Sequence, residues 1–308
     1  MARHTIGLAL GGGGARGWSH IGVLEALLEA GIEPKIVAGT SMGALVGAAY
    51  AGGMLVRLKE WAEAVDWRAI VGLLDVQIAN GGLIEGSRIL RLLQDLGIAM
   101  AIEDLPMKYA AVTTDLADGR EIWLQTGPVD VAIRASIGLP GIFSPTLVDG
   151  RWLADGGLVN QVPVSTCRAL GADFVIAVRV SDGLLTKRAA SLTPGLPGDG
   201  AGEGHGRPDD MLAQMPGPLR DQARRILPQL LARGPRSPGY FDVMANAINI
   251  MQDRITRSRL AGEPPHAMIS PQVSNIALLD FHRAAETIAA GRAAALEAIA
   301  GIKTQLAL

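Results

Sequence analysis

Apolar positions along this chain fall into two kinds of pattern, short saturated runs and repeats at helical spacing. Residues 4–10 (HTIGLAL) are almost continuously apolar, as expected of a strand buried on both faces. After the glycine-rich Gly11 to Gly17, residues 18–30 place Ile21, Leu24, Leu27 and Leu28 on one helical face, and Gly31 supplies the stop. Pro34 leads into a second short run, Ile36-Val37-Ala38, and the small residues Ala44 to Ala51 read as another helix. Strand, helix, strand at this spacing is a βαβ unit, whose two strands should lie parallel.

Further along, 54–74 and 86–96 have helical patterns, with a turn at Gly81-Gly82 between them. Residues 108–115 and 120–125 read as strands joined by Ala117-Asp118-Gly119, and 128–137 as a short helix. Pro140-Gly141 breaks the chain, and 145–154 read as a hairpin turning at Asp149-Gly150. A helix near 163–170 and a strand near 173–180 follow. From Pro194 to Pro208 glycine and proline dominate, which reads as a loop or lid hinge. Residues 209–233 and 240–260 are helical in pattern, 267–273 suggest a last strand and 281–300 a closing helix. Alternation of this kind predicts an α/β fold with a largely parallel sheet covered on both faces, plus a helical appendage. The expected organisation is a core over 1–182, a loop and helical appendage over 183–262, and a strand and helix over 263–308 that return to the core.

Composition narrows the functions open to such a fold. The chain has 308 residues, 49% hydrophobic and 19% charged, enough for a sizeable core. A net charge of −2 and only 4% aromatics give no footing for nucleic acid. The single cysteine, Cys167, excludes an intrachain disulfide and a cysteine-rich metal site. No apolar run is long enough for a membrane span, and Ile6 to Leu10 is too short for a signal sequence. The expectation is a cytoplasmic protein. Residues 219–233 set leucines among Arg220, Arg224, Arg225 and Arg233, and are the candidate for peripheral membrane contact.

The candidate chemistry centres on Gly39-Thr40-Ser41-Met42-Gly43. G-x-S-x-G between a strand and a helix is the nucleophile-elbow pattern, with Ser41 at the apex of a sharp turn. The plainer reading is a strand-to-helix turn with serine as N-cap. A serine nucleophile needs a base and an oxyanion hole. The glycine loop before residue 18 is a candidate for the hole, because it ends the first strand on the same sheet edge as Ser41. Gly12-x-Gly14-x-x-Gly17 also fits a dinucleotide fingerprint, but the second strand ends in Gly-Thr-Ser and supplies no acidic partner for a ribose. Trp18 stands where a phosphate-binding P-loop would need lysine.

Five histidines could serve as base: His4, His20, His205, His266 and His282. The last two lie in the chain order of an ordinary triad. Asp155 is the stronger candidate, since Asp155-Gly156-Gly157 after a strand puts a carboxylate on a turn with no side chain to block its approach.

Taken in order, Gly12 to Gly17, Gly39 to Gly43, Arg134-Ala-Ser-x-Gly-x-Pro140, Asp155-Gly-Gly157 and Asn160-x-x-Pro163 resemble the patatin-like phospholipase family of bacterial type. The resemblance covers about residues 4–180. It implies a three-layer α/β/α fold and a Ser–Asp dyad. Ser41 is then the nucleophile and Asp155 the base, with Gly12, Gly13, Gly14 and Arg16 forming the oxyanion hole. It implies a lipid or acyl-ester substrate, cleaved through an acyl-enzyme, and no metal or organic cofactor. Two alternatives stay open at this level: an esterase or thioesterase with a histidine triad, and a non-catalytic lipid-binding module.

Overall fold

A computed structural model describes residues 4–73, 85–98, 100–181 and 240–308. The Gly81-Gly82 turn, the Gly/Pro run at 194–208, the helical pattern at 209–233 and His205 lie outside the described residues. The chain divides into two compact units, Met1–Asp182 with Gln252–Leu308, and Gly183–Met251.

The elements, in order, are β1 (Ile6–Leu10), α1 (Ser19–Glu29), β2 (Ile36–Thr40), α2 (Met42–Ala51), α3 (Leu55–Ala64), α4 (Trp67–Leu73), α5 (Ser87–Asp95) and β3 (Lys108–Asp115). Next come β4 (Glu121–Leu124), α6 (Val129–Ser136), β5 (Thr146–Val148), β6 (Arg151–Asp155), α7 (Val164–Ala169) and β7 (Phe174–Val178). The described chain closes with α8 (Tyr240–Gly262), β8 (Ala267–Ile269) and α9 (Ala284–Leu306).

Eight strands form one mixed sheet in the order β5-β6-β3-β2-β1-β7-β8, with β4 also paired to β3. The β1, β2, β3, β7 and β8 pairings are parallel, as the βαβ reading requires. The β4, β5 and β6 pairings are antiparallel. Because side chains alternate along a strand, both faces of the parallel part are apolar. Leu8, Leu10, Ile176 and Val178 join one core with residues of α1, α2 and α9. Ala9, Val175 and Ala177 join a second with α7, against which Leu260 of α8 packs. Helices therefore cover both faces, which makes three layers. On the first face α1 and α9 approach backbone to backbone. A side chain at Gly22 would fall 2.0 Å from the Ile288 carbonyl oxygen, and one at Gly291 would fall 1.9 Å from that of Ser19.

Three element boundaries depart from the sequence reading. The helical pattern of 54–74 is two helices, because Val65 is extended (ψ 126) and the Asp66 carboxylate accepts the Ala69 N–H at 2.8 Å, capping α4. The last strand stops at Ile269, just before Pro271, instead of running to 273. The closing helix begins at Ala284 after a turn of 3-10 helix at Phe281–Arg283 and runs on to Leu306. The 145–154 hairpin turns through Asp149 (φ 48) and Gly150 (φ 77), both left-handed, as a two-residue hairpin of the primed type requires.

Candidate active site

β3 works as a ruler for the site. Val112 pairs with Thr40 of β2 and also with Trp123 of β4, so β2 and β4 lie on opposite edges of β3. The next residue, Thr113, pairs with Asp155 of β6 and with Ile122 of β4. β6 thus takes over the edge of β3 that β2 leaves. It runs the other way, so the two strands meet end to end. Ser41 follows Thr40, and Asp155 is the last residue of β6.

The elbow is as tight as the glycine pattern implies. A side chain at Gly39 would lie 2.3 Å from the Gly43 carbonyl oxygen, and one at Gly43 would lie 2.1 Å from that of Leu10. Ser41 has φ 54 and ψ −122, a conformation costly for any residue but glycine. Ser41 stands at the N-cap position of α2, but its hydroxyl makes no cap bond to the helix. The Ser41 N–H donates instead to Ser136 Oγ at 2.8 Å, and that hydroxyl donates to the Val112 carbonyl at 2.6 Å.

Asp155 is buried. Its carboxylate accepts the Gly157 N–H at 2.7 Å and interacts with the Ser41 hydroxyl. Burial raises its pKa to about 6 against the lowering effect of those two hydrogen bonds. The Asp155 N–H donates to the Gly138 carbonyl at 3.0 Å, and the Asp155 carbonyl accepts from Thr114 Oγ1 at 2.8 Å. The Arg-Ala-Ser-x-Gly-x-Pro segment therefore holds both residues of the pair. Ser136 fixes Ser41, and Gly138 fixes Asp155. Arg134 of the same segment is buried and donates to the Ser144 carbonyl at 2.9 Å, anchoring the loop between α6 and β5. None of these roles was read from the sequence, although the motif itself was visible there.

The glycine loop borders the serine. A side chain at Gly12 would fall 3.1 Å from Ser41 Cβ. Its four expected members behave differently. The Gly12 N–H donates to the Gln161 carbonyl at 3.0 Å and is not open to a ligand. Arg16 is buried with Nε donating to the Ile276 carbonyl at 3.0 Å, a contact that ties the loop to the segment before α9. Among the described residues, the Gly13 and Gly14 N–H groups have no protein acceptor. Gly14 is left-handed (φ 58), and a side chain there would fall 2.4 Å from the Leu278 carbonyl oxygen.

Of the four described histidines, none stands beside the Ser41–Asp155 pair as base. His266 sits at the start of β8, where Nδ1 accepts the Val175 N–H at 2.9 Å and the ring stacks on Phe174. That is the N-terminal end of the parallel strands, opposite to Ser41. His282 is exposed in the turn before α9, and His4 pairs with Asp173 at 3.2 Å. His20 is fully buried on α1. Its Nε2 donates to the Gly11 carbonyl at 2.7 Å, and burial lowers its pKa to about 4, so it is neutral. Cys167 is buried too, and its thiol is pushed up to about 12.

A family model described as "Patatin-like phospholipase" matches residues 8–168, which includes the glycine loop, the elbow, the Ser136 segment and Asp155. The chain belongs to the patatin-like phospholipase family. An NTE family protein of Mycobacterium tuberculosis is 37% identical over 340 residues, covering 96% of this chain and 91% of its own. Patatin-like phospholipase domain-containing protein 6 of Mus musculus is 39% identical over 187 residues, covering 58% of this patatin-like chain and 14% of its own. The crystal structure of VipD from Legionella pneumophila superposes with a TM-score of 0.46 at 13% identity, over 97% of this chain and 67% of that one. Among the described residues, no helix is long and apolar enough to cross a membrane.

Proposed function

We propose that this patatin-like chain is a serine acyl hydrolase that cleaves fatty-acyl esters of phospholipids or lysophospholipids. The observation that carries the reading is the end-to-end meeting of β2 and β6 along β3, which puts a strained serine against a buried carboxylate. Asp155 takes the Ser41 proton as Oγ attacks the acyl carbonyl carbon. The oxyanion of the tetrahedral intermediate is held by the Gly13 and Gly14 N–H groups. The carbon–oxygen bond to the lipid alcohol then breaks, and Asp155 returns the proton to the departing alkoxide. Water, deprotonated by Asp155, attacks the acyl-serine ester, releasing the fatty acid and restoring Ser41. An ordinary aspartate is too acidic to be an effective base at neutral pH; a pKa near 6 brings Asp155 into the useful range while leaving it ionised at pH 7.

No step of this scheme uses a metal or organic cofactor. The leucines and arginines of 219–233 suit contact with an anionic lipid surface, where the substrate resides. The test is a panel of phospholipids, lysophospholipids and p-nitrophenyl esters with wild type and Ser41→Ala. Fatty-acid release by wild type alone is expected. Equal release by Ser41→Ala would defeat the proposal.

A further inference from the structure

Gln161 holds the glycine loop at two points. Its backbone carbonyl accepts the Gly12 N–H at 3.0 Å, and its side-chain Nε2 donates to the Gly12 carbonyl at 2.8 Å. The side chain is almost wholly buried. The second bond has a consequence one residue on. The peptide between Gly12 and Gly13 is planar and trans, so the Gly13 N–H points away from the Gly12 carbonyl. An amide that grips this carbonyl on one side aims the Gly13 N–H to the other. Gly12 itself lies against Ser41 Cβ, so the peptide that carries this N–H starts beside the nucleophile. The same amide reaches the other half of the site. Its Oε1, which makes no hydrogen bond among the described residues, lies 2.2 Å from the place a side chain would take at Gly157, and Asp155 Oδ1 lies 2.9 Å from that place.

We propose that Gln161 is a positioning residue for acyl transfer, which aims the Gly13 N–H at the oxyanion and braces the glycine loop against the Asp155 turn. This rests on the acyl-hydrolase reading above. Gly12 alone cannot keep the peptide in place, because glycine has little intrinsic preference for one backbone conformation. His20 does the same for the preceding peptide by holding the Gly11 carbonyl, which turns the Gly12 N–H toward Gln161. The peptides that carry the Gly12 and Gly13 N–H groups are therefore each held by a buried side chain.

The experiment compares wild type, Gln161→Met and Gln161→Glu at pH 8 on a soluble p-nitrophenyl ester, with thermal melts to establish folding. Methionine keeps the volume and loses the donor; an ionised glutamate keeps the shape and likewise has no donor. In either folded variant kcat should fall by about tenfold or more, since one oxyanion donor is misdirected, while KM stays within about twofold. Affinity for a trifluoromethyl ketone, which forms a tetrahedral adduct with the serine, should fall in step with kcat. Unchanged kcat in a folded variant overturns the proposal, as does a rise in KM with kcat intact. Failure of both variants to fold also overturns it and leaves Gln161 a purely structural role. Wild type that turns over no ester defeats the acyl-hydrolase reading instead. In that event the rate at which a fluorophosphonate labels Ser41 still decides the role of Gln161: slower labelling in the variants supports it, and equal labelling overturns it.

Discussion

Thr40 and Asp155 end their strands against successive residues of β3, Thr40 opposite Val112 and Asp155 opposite Thr113. The two strands arrive from opposite directions along one edge, and Ser136 bonds across the join to the Ser41 N–H and the Val112 carbonyl. Ser136→Ala removes the partner of both backbone groups. Each buried group left unsatisfied costs about 1–3 kcal/mol, so a stability loss of at least ~2 kcal/mol is expected in denaturant unfolding. Because Ser41 loses its anchor, kcat should fall by about tenfold, the equivalent of ~1.4 kcal/mol. A variant with wild-type stability and wild-type kcat would show that Ser136 does not hold the elbow.

Gly43→Ala should not give a folded protein. Its methyl group would sit 2.1 Å from the Leu10 carbonyl oxygen, backbone that cannot move without displacing β1. Gly72→Ala in α4 is the control, as nothing lies within 4 Å of its new methyl group. It should be neutral or stabilising by up to about 1 kcal/mol. Soluble expression and circular dichroism separate the two; a well-folded Gly43→Ala protein would contradict the elbow geometry.

Hydrolysis should depend on pH through Asp155. Only the ionised carboxylate can take the serine proton, so kcat/KM should be flat above about pH 7 and fall tenfold per unit below the pKa of about 6. A profile centred on 6 that survives His20→Asn, His266→Ala and His282→Ala assigns it to the carboxylate. Loss of the limb in any one of these variants would point to a histidine base.

Stability should respond to the same group in the opposite sense. The folded pKa of Asp155 lies above its ordinary value of 3.8, so the fold favours the protonated form. Stability from this group is present below pH 3.8 and is lost as pH rises through about 6. Asp155→Asn removes the ionisation while its side-chain oxygen can still accept the Gly157 N–H. At pH 8 the variant should match or exceed wild type in stability, by up to about 3 kcal/mol, while losing at least about 100-fold in kcat. His20 has the reverse slope, since its folded pKa of about 4 lies below 6.5. Its contribution is full above pH 6.5 and lost as pH falls through about 4. Chemical unfolding at pH 5 and pH 8 measures both; an Asp155→Asn protein less stable than wild type at pH 8 would contradict the buried-carboxylate description.

Much of the sheet edge that carries Ser41 and Asp155 was legible because its constraints are local. The elbow needs glycine on both sides of Ser41 whatever surrounds it, and the Asp155 turn needs the glycine after it. The α4 cap was missed: Asp66 is a favoured N-cap residue, but continuous helical periodicity across 54–74 concealed it. What could not be read is the set of contacts between distant segments. Ser136 reaches Ser41 across 95 residues, and Gln161 reaches Gly12 across 149. Neither bond leaves a periodic trace in the chain. The division of the glycine loop into an engaged Gly12 and an open Gly13 and Gly14 follows from one of those contacts. So does the exclusion of His266, whose place in chain order suited a triad until pairing of β8 with β7 put it at the far end of the sheet.

The most direct test is to trap the covalent intermediate. The protein is mixed with a p-nitrophenyl acyl ester, quenched in acid within a fraction of a second, digested and analysed by mass spectrometry. One acyl group on the peptide carrying Ser41 is expected, absent from Ser41→Ala and formed at least about 100-fold more slowly in Asp155→Asn. An acyl group on any other residue, or undiminished ester turnover by Ser41→Ala, would contradict the assignment of Ser41 and Asp155 as the working pair.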